Sequence, residues 1–172
     1  MPHTVVKPKP WFRNEMRAIQ KLIGLGLRPV AERRGRQRSL AEAVRDLEGS
    51  GARIDAHLAG KPDTPANREA IAHCVGIERW GQSRLRVALG EPLQLDGHHG
   101  YRPDPADGIE ALRAAMADTR AGTVALAREL VAAGVDPATT VRHNDLGDLT
   151  LAGWLAYLEQ HASRELPLRV RA

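Results

Sequence analysis

Apolar residues recur at alternating three- and four-residue steps along most of the chain, and this spacing is typical of amphipathic helices. The first well-defined segment follows Ser39, a residue type that favours helix N-caps, and Glu42 three positions later completes a capping-box pattern. The apolar face of this segment is formed by Leu40, Val44, Leu47, Gly51, Ile54 and Leu58. The pattern predicts a helix that starts after Ser39 and ends by Gly60.

A second helix is predicted after Thr64, because Pro65 then occupies the first helical position, where its missing N–H is not needed. The periodic pattern continues to Leu89, and Gly90 is a suitable residue to end the helix. The inner stripe consists of Ala66, Ala70, His73, Ile77, Trp80, Arg84 and Val87. The side of this helix that faces the core therefore carries a histidine and an arginine among apolar side chains.

Two further helices are predicted in the second half of the chain. One covers residues 105–133, and the other begins near Thr150 and ends close to Pro167, since proline blocks the continuation of a helix. The intervening residues 91–104 and 136–148 are polar and irregular, and no segment alternates as a strand would. Four amphipathic helices predict an all-α four-helix bundle that forms one domain over residues 39–172.

Residues 1–38 differ from the rest of the chain in charge. They hold ten Lys and Arg against two acidic residues, a net charge of +8, whereas residues 39–172 have a net charge of −4. A short amphipathic helix is predicted between Trp11 and Leu27, and the arginine-rich residues 28–38 are typical of a solvated linker. This basic extension could bind nucleic acid or an anionic membrane surface, pack on a second copy of the chain in a homodimer, or stay solvated. It contains no recognition-helix motif, so nucleic acid is the less expected partner.

Composition removes several classes of protein. The single cysteine excludes an internal disulfide framework and a cysteine-rich zinc module. The longest uncharged helical stretch, residues 149–158, is far shorter than the ~20 apolar residues that a membrane-spanning helix needs. The N-terminus has no apolar segment of the kind found in secretory signals. A cytoplasmic protein without a transmembrane segment is therefore expected.

The candidate chemistry lies on the inner faces of the second and fourth helices. Trp154, Leu158, His161 and Glu165 follow one another at three- and four-residue steps, so His161 and Glu165 project one turn apart. A histidine and a carboxylate at this spacing can bind one metal ion, although the same spacing also suits a structural His–Glu pair. His73 is a third candidate ligand, and its alternative role is that of a hydrogen-bonded core histidine.

The order of the helices decides whether His73 and His161 can meet. They share one end of the bundle if the second and fourth helices are antiparallel, and lie roughly 10 Å or more apart if these helices are parallel. The antiparallel case requires an up-down-down-up bundle and a crossover that returns along the bundle. Residues 91–104 can span at most about 45–50 Å, which is enough for that connection.

Two runs of sequence suggest a family. The segment IAHCVGIERWGQSRL in the second helix and the segment HNDLGDLTLAGWLAYLEQHASRE around the fourth resemble the DinB-like superfamily of four-helix bundles, over about residues 39–166. This superfamily includes DNA-damage-inducible proteins of Gram-positive bacteria and thiol-dependent transferases. The resemblance implies an up-down-down-up bundle and a divalent metal, often nickel or zinc. The positions of the family's three histidine ligands correspond here to His73, His161 and Glu165.

The chain departs from the family pattern at the third ligand. Glu165 replaces a histidine, and Pro167 follows where the family's helix continues. Carboxylate is an acceptable zinc ligand and also suits manganese, so a site with two histidines and one glutamate can persist; alternatively the fold remains without its metal. The resemblance implies a metal-dependent thiol transferase or hydrolase that acts on a small molecule or a low-molecular-weight thiol. A noncatalytic, stress-related bundle that binds partners through its basic arm is the alternative.

Four further residues could contribute to such a site. His98 and His99 could close over a metal, although two solvated histidines in a flexible loop are the simpler interpretation. Cys74 points about 100° around the helix from His73, which predicts a buried, inert thiol. Arg84 could meet an anionic substrate, but an ion pair across the bundle or a side chain extended to solvent is favoured. No catalytic acid or base is identified.

Overall fold

The computed structural model describes residues 28–172, and this part of the chain is mostly helical. Residues 28–36 are helical and are called α1. The longer helices are α2 (Leu40–Leu58), α3 (Pro65–Val87), α4 (Ile109–Ala132) and α5 (Leu151–Arg169). Two short 3₁₀ turns, His98–Tyr101 and Pro105–Asp107, lie between α3 and α4. The helical class predicted from the sequence is confirmed, whereas the helix predicted before residue 28 lies outside the described residues.

Helix starts agree with the capping signals in the sequence. The Ser39 side chain accepts a hydrogen bond from the Glu42 backbone N–H, and the Glu42 carboxylate accepts from the Ser39 N–H, so the capping box is complete. Thr64 caps α3 by accepting from the Asn67 backbone N–H, with Pro65 at the first helical position. Thr150 caps α5 by accepting from the Gly153 N–H. These side chains satisfy backbone donors that have no partner within the helix.

The arginine-rich segment before α2 is a helix over residues 28–36, so the prediction of a linker at residues 28–38 was wrong, although most residues of this range are exposed as predicted. Ala31 and Glu32 in α1 are buried. The Glu32 carboxylate accepts a hydrogen bond from the Thr150 backbone N–H at 2.8 Å, at the start of α5. Gly35 lies so close to the backbone of Ala152 and Gly153 that a larger side chain would collide with it. The sequence did not indicate a helix here, because the segment is rich in arginine and its few buried residues are small or charged.

A short hairpin occupies the segment that was predicted to be a loop without strands. Strands β1 (Thr140–His143) and β2 (Gly147–Thr150) pair antiparallel, with Thr140 opposite Thr150 and His143 opposite Gly147. Each strand has four residues, too few for an alternating pattern to stand out in the sequence. The hairpin carries Val141 and Leu149 into the core.

Helix α5 ends at Arg169, two residues beyond Pro167, which agrees with the predicted end close to this proline, although the proline itself lies inside the helix. The ring removes the hydrogen bond that a backbone N–H at position 167 would make to the carbonyl four residues earlier, and it also crowds that carbonyl. The backbone N–H of Val170, the C-cap residue, donates to the Leu166 carbonyl at 2.9 Å. The helix therefore ends within one turn of the proline.

The core consists of two apolar clusters with a polar layer between them along the helices. The helix α2 packs against α4 and α5, and α3 packs against the same two helices. The larger cluster surrounds Trp154 and includes the hairpin, and the smaller one surrounds Leu112 and Leu166. Between them, the buried Arg120 guanidinium pairs with the Glu78 carboxylate at 2.8 Å. No helix within residues 28–172 has the length and apolarity needed to cross a membrane.

Candidate metal centre

The structure brings together the two histidines that the sequence singled out on different helices. The ring centroids of His73 in α3 and His161 in α5 are 5.4 Å apart, and both side chains are half-buried. Two imidazoles bound to one zinc ion have ring centroids roughly 5 Å apart, given Zn–N distances of about 2.0–2.1 Å and tetrahedral angles. The pair therefore has the spacing that a shared metal ion requires.

Glu165, the third predicted ligand, lies one turn beyond His161 but is engaged elsewhere. Its Oε2 accepts a hydrogen bond from Arg169 Nη1 at 3.3 Å, and 37% of its side chain is exposed. It shares the lining of a surface pocket of about 80 Å³ with His161, Tyr157 and Arg164. Its negative charge also acts on His73 by raising the pKa of that ring, in opposition to burial. Glu165 is thus near the histidine pair without being directed solely toward it.

A third imidazole reaches the same place from the connection between α3 and α4. The ring centroid of His98 lies 5.3 Å from that of His73, with the rings nearly perpendicular. His98 is half-buried rather than solvated, while its neighbour His99 is exposed. The sequence favoured a solvated role for both residues, because nothing in a loop of Gly, Pro and His indicates which side chain turns inward.

Arg84 fixes the loop that carries His98. Its guanidinium is buried, donates to the carbonyl oxygens of Gln94 and Asp96, and lies 4.8 Å from the centroid of the Trp80 ring. It also pairs with the Asp96 carboxylate at 3.3 Å. The predicted ion pair is therefore present, but its acid lies on the α3–α4 connection rather than across the bundle. Asp96 in turn accepts from the Tyr101 hydroxyl at 2.6 Å, so the residues on both sides of His98 are anchored.

Close backbone contact between the loop and α3 depends on a glycine. A Cβ atom at Gly76 would lie 3.1 Å from the carbonyl oxygen of His98 and would collide with Arg102. Arg102 itself pairs with Glu69 at 2.5 Å, which ties the far side of the loop to the first part of α3. The loop consequently lies directly on the helix that carries His73.

All three imidazoles are held in their neutral form at pH 7. Burial is the main cause in each case: it lowers the pKa of His73, lowers that of His98 to about 4, and lowers that of His161 to about 3. The neighbouring imidazoles of this group lower the pKa values of His98 and His161 further. Neutral imidazole is the form that binds metal ions.

Cys74 takes no part in this arrangement. Its side chain is buried, and burial raises the pKa of the thiol to about 12, so the thiol stays protonated and unreactive. The prediction of a buried, inert thiol agrees with this environment.

His143 is a buried histidine that the sequence analysis did not single out. Its Nδ1 accepts hydrogen bonds from the backbone N–H groups of Asp145 and Leu146, at 3.1 and 3.2 Å. Its ring packs against Trp80, Trp154 and Tyr157, with ring centroids 4.9 to 5.0 Å apart. Tyr157 also contacts His161, at 5.7 Å between centroids, so this aromatic cluster supports one side of the histidine pair. Recognising His143 required the hairpin turn, which the sequence did not reveal.

Within residues 28–172, no three His, Cys, Asp or Glu side chains are already arranged to hold a metal ion. No protein-family model matches the chain, and neither does any curated protein or solved structure. The resemblance to the DinB-like superfamily therefore remains a prediction that rests on residues and geometry alone.

Proposed function

We propose that the chain is a metal-dependent enzyme related to the DinB-like superfamily, and that its long helices form an up-down-down-up bundle. Contacts between α2 and α4 support the first part of this order. Asp55, near the end of α2, pairs with Arg113 near the start of α4 at 2.7 Å, and Ser50 accepts from Arg120 further along. The end of α2 thus contacts the start of α4, as expected for two antiparallel helices.

The other helix pairs support the rest of the order. Along α3 and α4 the contacts advance in the same direction, from Glu78 with Arg120 to Gln82 with Thr123, as in parallel helices. Along α3 and α5 they run in opposite directions: early His73 meets late His161, and later Trp80 meets earlier Trp154. Antiparallel α3 and α5 are the condition under which the two histidines share one end of the bundle.

A divalent metal would be held by His73 and His161, and the family resemblance implies a third ligand, at the position of Glu165. Nickel and zinc suit the imidazoles best, and a carboxylate would also admit manganese. Such an ion lowers the pKa of bound water and stabilises a thiolate, which is the chemistry of hydrolysis and of thiol transfer. The distance of 5.4 Å between the His73 and His161 rings is the observation that carries this proposal.

The chain itself supplies the surroundings of the reaction. The pocket beside His161 is open to solvent, and its lining includes the Tyr157 ring, the Gln160 amide and the charged groups of Arg164 and Glu165. An aromatic wall with an amide, a cation and a carboxylate suits a small molecule with an apolar part and a polar part. We therefore propose a small-molecule substrate or a low-molecular-weight thiol.

Metal content tests the proposal directly. Untagged full-length protein, produced with nickel, zinc and manganese in the medium, is compared by elemental analysis with the variants His161→Ala and His99→Ala. We expect about one divalent ion per chain in the parent and in His99→Ala, and loss of the metal in His161→Ala. Metal-loaded protein is then assayed for thiol transfer and for hydrolysis. A parent protein that takes up no metal under any supply would rule out the proposed enzyme.

A further inference from the structure

We propose that the third protein ligand of this metal is His98, from the connection between α3 and α4, and not Glu165. The inference rests on the proposed function, since it names a ligand of that same site. Its starting point is that His73 has two imidazole neighbours at matching distances, His161 at 5.4 Å and His98 at 5.3 Å between ring centroids. Both values are close to the roughly 5 Å expected for two imidazoles on one ion.

Glu165 is the weaker of the two candidates because it already has a partner. Its carboxylate accepts from Arg169, four residues later on the same helix, and more than a third of its side chain is exposed. Moving it onto a metal would break that pair. His98, by contrast, has no competing ion pair among the described residues, and its ring already faces that of His73 nearly at a right angle.

Contacts with several parts of the fold fix the position of His98. The buried Arg84 holds the carbonyl oxygen of Asp96, two residues before His98, and the Asn144 side chain donates to the same oxygen at 2.8 Å. On the other side, Arg102 is tied to Glu69 on α3. The lack of a side chain at Gly76 lets the His98 backbone lie against the helix. Together these contacts fix a loop segment in which the His98 ring, unlike that of His99, faces inward.

A three-histidine site requires the His98 and His161 rings to lie as close to each other as each lies to His73. The imidazole torsion of histidine has broad minima, so the rings can turn without loss of their staggered side-chain conformation. Three histidines with open remaining positions form one of the ligand sets of catalytic zinc sites. An all-nitrogen set also favours zinc and nickel over manganese, which prefers oxygen ligands, so the choice of ligand predicts the choice of metal.

The test measures zinc affinity by competition with a chromophoric chelator in the parent and in His98→Ala, His99→Ala, Glu165→Gln and His161→Ala. His99→Ala is the matched control, because it removes the adjacent imidazole from the same turn, 4.1 Å away between ring centroids. We expect His98→Ala to lose more than the roughly 10–100-fold in affinity that removal of an outer-shell partner costs. His99→Ala and Glu165→Gln should stay within about threefold of the parent, well below that range.

A second readout reports the ligands rather than the affinity. Cobalt(II) replaces zinc in the same proteins, and its visible absorption changes when a coordinating side chain is lost. We expect the spectrum of the parent to persist in Glu165→Gln and in His99→Ala, and to change in His98→Ala. Urea unfolding of each metal-free variant shows whether the fold is intact, and His98 lies in a surface loop where substitution should leave it so.

The outcomes separate the two proposals. A parent that binds zinc, with the loss in Glu165→Gln as large as in His161→Ala, would overturn the assignment of His98 and leave the proposed function standing. The same holds if His98→Ala behaves like His99→Ala. A parent without any zinc affinity would instead overturn the proposed function, and this inference with it.

Discussion

His143 shows how a single buried side chain makes stability depend on pH. Its Nδ1 accepts two backbone N–H groups, so the ring must be neutral in the folded state, and three aromatic rings surround it. Burial, together with the charge of Arg84, lowers its pKa from 6.5 to about 4. The unfolded chain therefore binds a proton at this residue at a higher pH than the folded chain does.

The sign of the effect follows from linkage. Because the folded pKa is the lower one, stability is complete above about pH 6.5 and falls as the pH drops toward about 4. In His143→Asn, the amide oxygen can accept the same backbone hydrogen bonds but cannot titrate. We expect its free energy of unfolding, measured in urea, to be lower than that of the parent at pH 7 because of the cavity. Between pH 7 and pH 4.5, however, it should decline by about 2 kcal/mol less than that of the parent. An equal decline in both proteins would contradict a neutral buried His143.

At the scale of elements, the contact between α3 and the α3–α4 connection can be tested without touching a histidine. In Gly76→Ala the new Cβ would collide with Arg102 and press on the His98 carbonyl oxygen, while alanine itself favours the helix. We expect α3 to remain intact, the loop to be displaced, and zinc affinity to fall by about tenfold or more, as when an outer-shell partner is lost.

Gly100→Ala is the control for this substitution, since it lies in the same loop and its Cβ would enter open space. Limited proteolysis of residues 91–104 reports the loop independently of metal: cleavage should be faster in Gly76→Ala than in Gly100→Ala. Equal cleavage rates and equal zinc affinities in the two variants would show that close packing at Gly76 does not position His98.

The elements differ in how far the sequence could predict them. Starts of α2, α3 and α5 were predictable because Ser39, Thr64 and Thr150 cap their helices through local hydrogen bonds. The hairpin and the burial of α1 were not predictable from the sequence. They depend on tertiary contacts, such as that of Glu32 with Thr150, rather than on periodicity.

The candidate site likewise has a part that could be predicted from the sequence and a part that could not. The inward positions of His73 and His161 follow from helical periodicity, so their meeting could be predicted once α3 and α5 were assumed to be antiparallel. The inward position of His98 could not be predicted. It results from contacts of its loop with Arg84, Asn144 and Gly76, which lie in other parts of the chain. Long-range contacts of this kind leave no local signal in the sequence.

For the whole molecule, the proposed metal would join three separate parts of the chain: α3 through His73, α5 through His161 and the long connection through His98. These parts have no reason to remain close in the unfolded chain, so a metal bound to all three binds the folded state preferentially and stabilises it by mass action. At a free zinc concentration of about 100 times Kd, the gain is about 2.7 kcal/mol. For a chain of this size that corresponds to a rise in Tm of roughly 5–10 °C.

Thermal unfolding of the full-length protein with and without zinc, followed by circular dichroism, measures this rise. We expect the full shift in the parent and in His99→Ala, a small fraction of it in His98→Ala, and none in His161→Ala at the same zinc concentration. The comparison also tests where the metal binds. Zinc bound to histidines elsewhere in the chain would stabilise His161→Ala as much as the parent. A shift of equal size in those two proteins would therefore exclude a metal held between α3 and α5.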